Sequence, residues 1–173
     1  FYLKNIAEIR KMMSLQDAEK LVHAFLTSRL DYCNALLSGW SSKCKYKLQL
    51  VQNAAARVLT RSRKYDHITP VLFSLHWLLI KSRIDYKTLL LTYKALNGLA
   101  PQYLSELLYQ YDPPLLLRSK SAGYLLVPQI MKTTAGGRSF SYEAPQLWNS
   151  LPTSVQDSDT VSVFKSRLKT YLF

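Results

Sequence analysis

KCKYKLQLVQNAAARVLT, residues Lys43 to Thr60, is the stretch on which the reading of this chain turns. Leu48, Val51, Ala55, Val58 and Leu59 fall on one face at about 100° per residue, which predicts an amphipathic helix. Lys43, Lys47, Arg57 and Arg61 fall on a neighbouring stripe, joined by Lys64 if the helix persists, with Ala54 between its ends. A small residue there lets a phosphate backbone approach closely, and several cations in line match a run of phosphates. Arg63 and Lys64 extend the patch into the following loop. A solvated basic face is the bland alternative, and Gln49, Gln52 and Asn53 add candidate sugar or groove-edge hydrogen bonds.

The charge balance places this helix in context. The 173 residues hold 23 Lys and Arg against 11 Asp and Glu, a net charge of +12, while 48% of residues are apolar. A chain so composed folds, and so large a positive excess favours a polyanionic partner. Residues 1–65 carry 12 basic and 4 acidic side chains, residues 66–117 carry 4 and 4, and residues 118–173 carry 7 and 3. The expected organisation is therefore a basic helical segment over 1–66 and a C-terminal helical region over 67–173, with a loop-rich stretch at 112–141. Two cysteines without a cluster point to a reducing compartment, cytosol or nucleus. The longest uncharged run, between Asp66 and Lys81, is too short and polar to span a bilayer, so no membrane is expected as partner. The opening FYLKNIAEIRK starts on Phe1 and carries charges where a secretory signal is apolar, which reads as a piece of something longer.

Around the central helix the fold class is mainly α. Ser14, with Asp17 three residues on, caps a helix carrying Leu15, Ala18, Leu21, Val22, Phe25, Leu26 and Leu30, expected to run to about Leu37 and to end at Gly39. Thr69-Pro70 opens a short helix through Phe73, Ile80 to Leu96 forms a long one ended by Asn97-Gly98, and Pro101 starts another to about Tyr109. Leu115 to Leu117 and Tyr124 to Val127 are too short to choose between helix and strand. Residues 142–149 suit a helical turn, and Asp159 or Thr160 caps a last helix with Val161, Phe164, Leu168, Tyr171 and Leu172.

Catalytic signatures are missing from this pattern. No Gly-x-Ser-x-Gly elbow, P-loop or dinucleotide fingerprint occurs, Gly136-Gly137-Arg138 reads as a flexible turn, and the acidic residues are scattered, with Asp157 and Asp159 in a cap-forming stretch. Cys33, Cys44, His67 and His76 lack the close pairs that pre-form half a zinc site, so neither metal nor cofactor is expected. Cys33 reads as packed, His23 as lying on a polar helix flank and His76 as a partly buried structural histidine. A self-sufficient enzyme is thus the weaker class and a basic helical binding module the stronger.

Several strings are also familiar in this order: TSRLDYCNALLSG (Thr27 to Gly39), LQLVQNAAARVLT (Leu48 to Thr60), HITPVL (His67 to Leu72), LHW (Leu75 to Trp77), YKALNGLAPQYLSELL (Tyr93 to Leu108), LRS (Leu117 to Ser119), WNSLP (Trp148 to Pro152) and FKSRLKTYLF (Phe164 to Phe173). Together they span essentially the whole chain, which resembles the C-terminal part of the reverse-transcriptase polyprotein of jockey-like non-LTR retrotransposons, or long interspersed elements. In that family the polymerase motif with its paired metal-binding aspartates lies upstream. The resemblance implies a helical thumb-like segment followed by a smaller helical C-terminal region, non-catalytic itself, with RNA or RNA–DNA duplex and the upstream polymerase domain as partners. Lys43, Lys47, Arg57, Arg61, Arg63 and Lys64 are then the expected phosphate binders. Relatives usually have proline where Leu79 stands and often a basic residue near Leu115, departures expected of a decayed copy. The competing expectation is a structural or protein-docking module built on Trp77, Leu78, Ile80 and the last helix, or a fragment of a decayed element.

Overall fold

A computed structural model describes residues 2–112, 123–129, 137 and 139–173. It is mainly helical: α1 (Tyr2–Ile9), α2 (Leu15–Val22), α3 (Ser28–Asp31), α4 (Ser42–Thr60), α5 (Ile68–Ser74), α6 (Ile80–Leu96), α7 (Gln102–Ser105), α8 (Phe140–Asn149), α9 (Thr153–Gln156) and α10 (Val161–Leu172). Among the described residues there is no strand, only an isolated antiparallel bridge between Gln110 and Leu125. The expected ambiguity at Tyr124 to Val127 ends as this bridge, while Leu115 to Leu117 lies outside the described residues. Two compact units emerge, one of Phe1–Asn34 with Trp40–Arg83 and one of Ala35–Gly39 with Ile84–Phe173. Packing thus divides at Arg83, not at the charge step near residue 66, because α5 and the turn after it bury Leu72 and Trp77 beside Ala55 and Leu59.

In the first unit Ile6, Ala18, Val22, Ala55, Ala56, Leu59, Leu72 and Trp77 form the core. α1, which carries no cap signal in the sequence, contributes Ile6, with Leu3 packed against the cluster. Ser14 caps α2 as expected: its hydroxyl oxygen accepts from the Asp17 amide at 3.1 Å and its O–H donates to the Asp17 carboxylate at 2.7 Å. The helix expected to reach Leu37 ends at Asp31. Residues His23–Thr27 are π-helical, and the extra residue in that turn rotates the next residues by about 100° off the stripe that Ala18 and Val22 bury. Cys33 then takes a left-handed φ of 50°, the role expected of Gly39, and is exposed rather than packed. Asp31 anchors this end by accepting the fork of Arg83, with Nε at 2.9 Å.

α5 begins at Ile68, one residue before the expected Thr69 cap, and closes on an unusual residue. His76 has a φ of 53°, the Trp77 amide donates to the Leu72 carbonyl at 2.9 Å, and the His76 amide donates to Phe73 at 2.9 Å. This is a Schellman cap with histidine where glycine is usual, and Trp77 packs in the same core as Leu72, the apolar contact that accompanies such caps. His76 is therefore exposed rather than partly buried.

The second unit is centred on Phe164 of α10, whose ring stacks on Tyr93 of α6 at 4.2 Å and on Trp148 of α8 at 6.1 Å. Leu89, Leu90, Leu108, Leu125, Leu151, Val155 and Leu168 complete the core. The expected stop of α6 at Asn97-Gly98 is seen: Gly98 has a φ of 67°, Leu99 donates to Lys94 at 2.8 Å, and Gly98 donates to Ala95. α7 ends at Ser105, four residues short of expectation, because Leu107 and Leu108 tighten into turns on Leu104 and Ser105 that deliver Leu108 to the core. α8 is longer than the expected turn at 142–149, tolerating Pro145 inside. Thr160, not Asp159, caps α10, accepting from Val163 at 3.3 Å.

Candidate nucleic-acid interface

α4 begins at Ser42, so Lys43 and Lys45 stand in its first turn and Lys47 in the next, with no acidic residue there. Cations are disfavoured at this end, where the helix dipole presents its positive pole. Lys43 and Lys47 are exposed. The sequence at this point works against helix stability, a conflict that belongs to functional positions more than to packing ones.

The far end of the stripe is organised differently. α4 stops at Thr60 with Arg61 in the left-handed region at a φ of 56°, so Lys64 lies in a turn and does not extend the helical stripe. Arg61 donates from Nη2 to the main-chain oxygen of Arg10 at 2.9 Å, and Arg57 donates from Nη2 to the Asp66 carbonyl at 3.3 Å. The Arg63 amide donates to the Asp66 carboxylate at 2.7 Å, while its side chain is exposed. Lys64 sits 5.8 Å from the Tyr65 ring centroid, close enough for a cation–π contact. All six expected site residues therefore lie on α4 and the turn after it, but Arg57 and Arg61 also hold the chain together. Lys43, Lys47, Arg63 and Lys64 are exposed, as is Arg61 despite its bond to Arg10, while Arg57 is half-buried.

Two groups of cations result, separated along α4 by exposed Leu50 and Val51, with exposed Tyr46 set in the first group. Leu50 shares the stripe with Ala54, so its middle is more apolar than the expected single alanine. The polar residues thought to reach a groove edge face the protein. Gln52 is buried and donates to the Leu78 carbonyl at 2.8 Å; Gln49 accepts from the Ile80 amide at 2.9 Å and donates to Gln52 and Asn53. Gln49 thereby satisfies an amide at the N-terminus of α6 that has no helical partner.

Arg10 carries a structural role that sequence reasoning misses. Its side chain is buried, and it donates to the Leu59 carbonyl from Nε at 3.0 Å and Nη2 at 2.8 Å and to Met13 from Nη1 at 2.9 Å. A charged donor at the C-terminal turn of α4 satisfies an orphan carbonyl and opposes the negative pole of the dipole. A lone arginine in a charged opening segment gives no sequence signal for this.

Among the described residues no three His, Cys, Asp or Glu side chains are grouped so as to hold a metal ion, and no helix is long and apolar enough to cross a membrane. Gly136 and Arg138 lie outside the described residues. Comparison with known proteins returned no family model, no curated protein and no solved structure that matches this chain.

Proposed function

We propose that this chain is a non-catalytic C-terminal segment of a non-LTR retrotransposon reverse transcriptase that binds RNA or RNA–DNA duplex through phosphate contacts. The observation that carries the binding half of this reading is the placing of exposed Lys43 and Lys47 in the first two turns of α4, whose first turn holds no acidic residue and where the helix dipole opposes cations. A polyanion supplies countercharge at that end. The assignment to a reverse transcriptase rests on the string resemblance alone, and a thumb-like role comes with it.

Titrating the chain with a short RNA–DNA hybrid across a range of salt tests the reading. Each phosphate neutralised contributes about 0.9 to the slope of log affinity against log salt on B-form duplex and about 0.7 on single strands. Charge reversal at Lys43 and Lys47 is expected to weaken binding and flatten that slope. Absence of salt-dependent binding by a folded chain overturns the reading and favours the docking alternative, for which exposed Tyr46, Leu50 and Val51 on the same helix are the supporting observation.

A further inference from the structure

Two exposed tyrosines stand beside these cations along the chain, Tyr46 on α4 and Tyr65 in the turn after it. Tyr46 stands one helical turn after Lys43 and directly before Lys47, and its side chain is 62% exposed. Tyr65 comes directly after Arg63 and Lys64 in the turn after α4 and is 90% exposed, with the Lys64 ammonium against its ring. Exposing so much of an aromatic ring has no folding benefit, since burial of apolar area is what stabilises. A phosphate-only contact with a duplex makes no use of such rings, because the bases are stacked inside the helix. Unpaired bases each present a π-face, and a basic groove with aromatic platforms is how single strands are held without sequence preference.

Resting on the nucleic-acid reading above, the geometry points to single-stranded nucleic acid as the favoured ligand of this face. Tyr46 and Tyr65 stack bases at the two ends of α4, and Lys43 and Lys47 at one end and Arg63 and Lys64 at the other hold the adjoining phosphates. The ends are about 27 Å apart from Lys43 to Arg61 at 1.5 Å per residue, so a strand that engages both must run along the helix.

The test compares, with the full chain, a short oligouridine, an abasic oligomer of the same length and the oligouridine paired to complementary DNA. Tyr46→Ala and Tyr65→Ala are each expected to weaken oligouridine binding at least about fivefold while leaving hybrid affinity unchanged, and Trp at either position is expected to restore it. The abasic oligomer is expected to bind wild type as weakly as the alanine variants bind oligouridine. Equal binding of abasic and base-bearing strands, or alanine variants that bind oligouridine like wild type, overturns the inference and leaves the phosphate reading intact if hybrid binding stays salt-dependent. Loss of binding to every ligand by folded wild type overturns both. Both tyrosines are exposed, and circular dichroism confirms that each variant keeps its helices.

Discussion

The guanidinium of Arg61 donates to the main-chain oxygen of Arg10 at 2.9 Å, while the guanidinium of Arg10 returns two bonds to the Leu59 carbonyl at 2.8 and 3.0 Å. The pair locks the turn after α1 to the last turn of α4, and one of its members is an expected phosphate binder. Arg10→Ala is expected to destabilise the chain by about 2–3 kcal/mol, since it leaves buried carbonyls without a charged donor. Arg10→Lys is expected to recover only part of this, because an ammonium lacks the planar fork that reaches Leu59 twice. Urea unfolding of the three proteins decides it; equal midpoints refute the clamp.

Because Arg61 serves the fold, charge reversal there confounds two effects. Arg61→Glu is expected to lower both the unfolding midpoint and nucleic-acid affinity, whereas Lys43→Glu with Lys47→Glu is expected to lower affinity alone or with slightly raised stability, as acidic residues suit a helix N-terminus. Thermal unfolding beside the salt titration separates the two sets of variants.

Asn149 pairs its side-chain amide with both polar groups of the Leu125 backbone: Oδ1 accepts the amide N–H at 2.8 Å and Nδ2 donates to the carbonyl at 2.8 Å. Asn149→Asp is expected to cost more than Asn149→Ala despite its closer shape, because a carboxylate oxygen then faces the Leu125 carbonyl with no proton between them. Each loss amounts to about 1–3 kcal/mol. Faster amide exchange at Leu125 in the Ala variant, which alone loses the acceptor of that N–H, is the local sign; an Asp variant as stable as wild type contradicts the pairing.

His76 holds a left-handed backbone at the C-terminal end of α5. His76→Gly is expected to be tolerated or to stabilise by up to about 1 kcal/mol, and His76→Val to destabilise by about 1–2 kcal/mol, since a β-branched residue is the least suited to positive φ. A valine variant with an unchanged melting temperature rules out the strained cap.

Asp17 has its carboxyl held below the ordinary aspartate range, first by the Ser14 hydroxyl and then by hydrogen bonding and charge attraction from Lys20. A lowered folded value means that the stabilisation is present above the unfolded value and is lost as pH falls through the folded one. The helix start at Ser14 is therefore expected to loosen as pH falls below the ordinary aspartate range. Carboxyl NMR titration of wild type and Ser14→Ala is expected to show Asp17 moving back toward its ordinary value in the variant; no movement refutes the cap's role.

Long periodic helices and stop signals are legible in residues alone: the apolar face of Lys43 to Thr60, the cap at Ser14 and the Gly98 stop each depend on neighbours within one or two turns. Local patterns fail where the partner is distant. Spacing carries the helix through Leu30 on to Leu37 because nothing in it announces a π turn at His23–Thr27. Gln49 and Gln52 look like solvated helix residues until Leu78 and Ile80 are brought beside them.

The sequence by itself determined a mainly helical chain, a positive charge concentrated in residues 1–65 and the cations of α4, because composition, periodicity and charge are properties of near neighbours. Tertiary structure alone decided which of those cations bind the protein itself. Arg57 and Arg61 meet carbonyls of Asp66 and Arg10, while Lys43 and Lys47 stay on the surface. An arginine is spent on a carbonyl or left for a phosphate according to what folding places within about 3 Å of it, and that distance is set by chain segments remote in sequence.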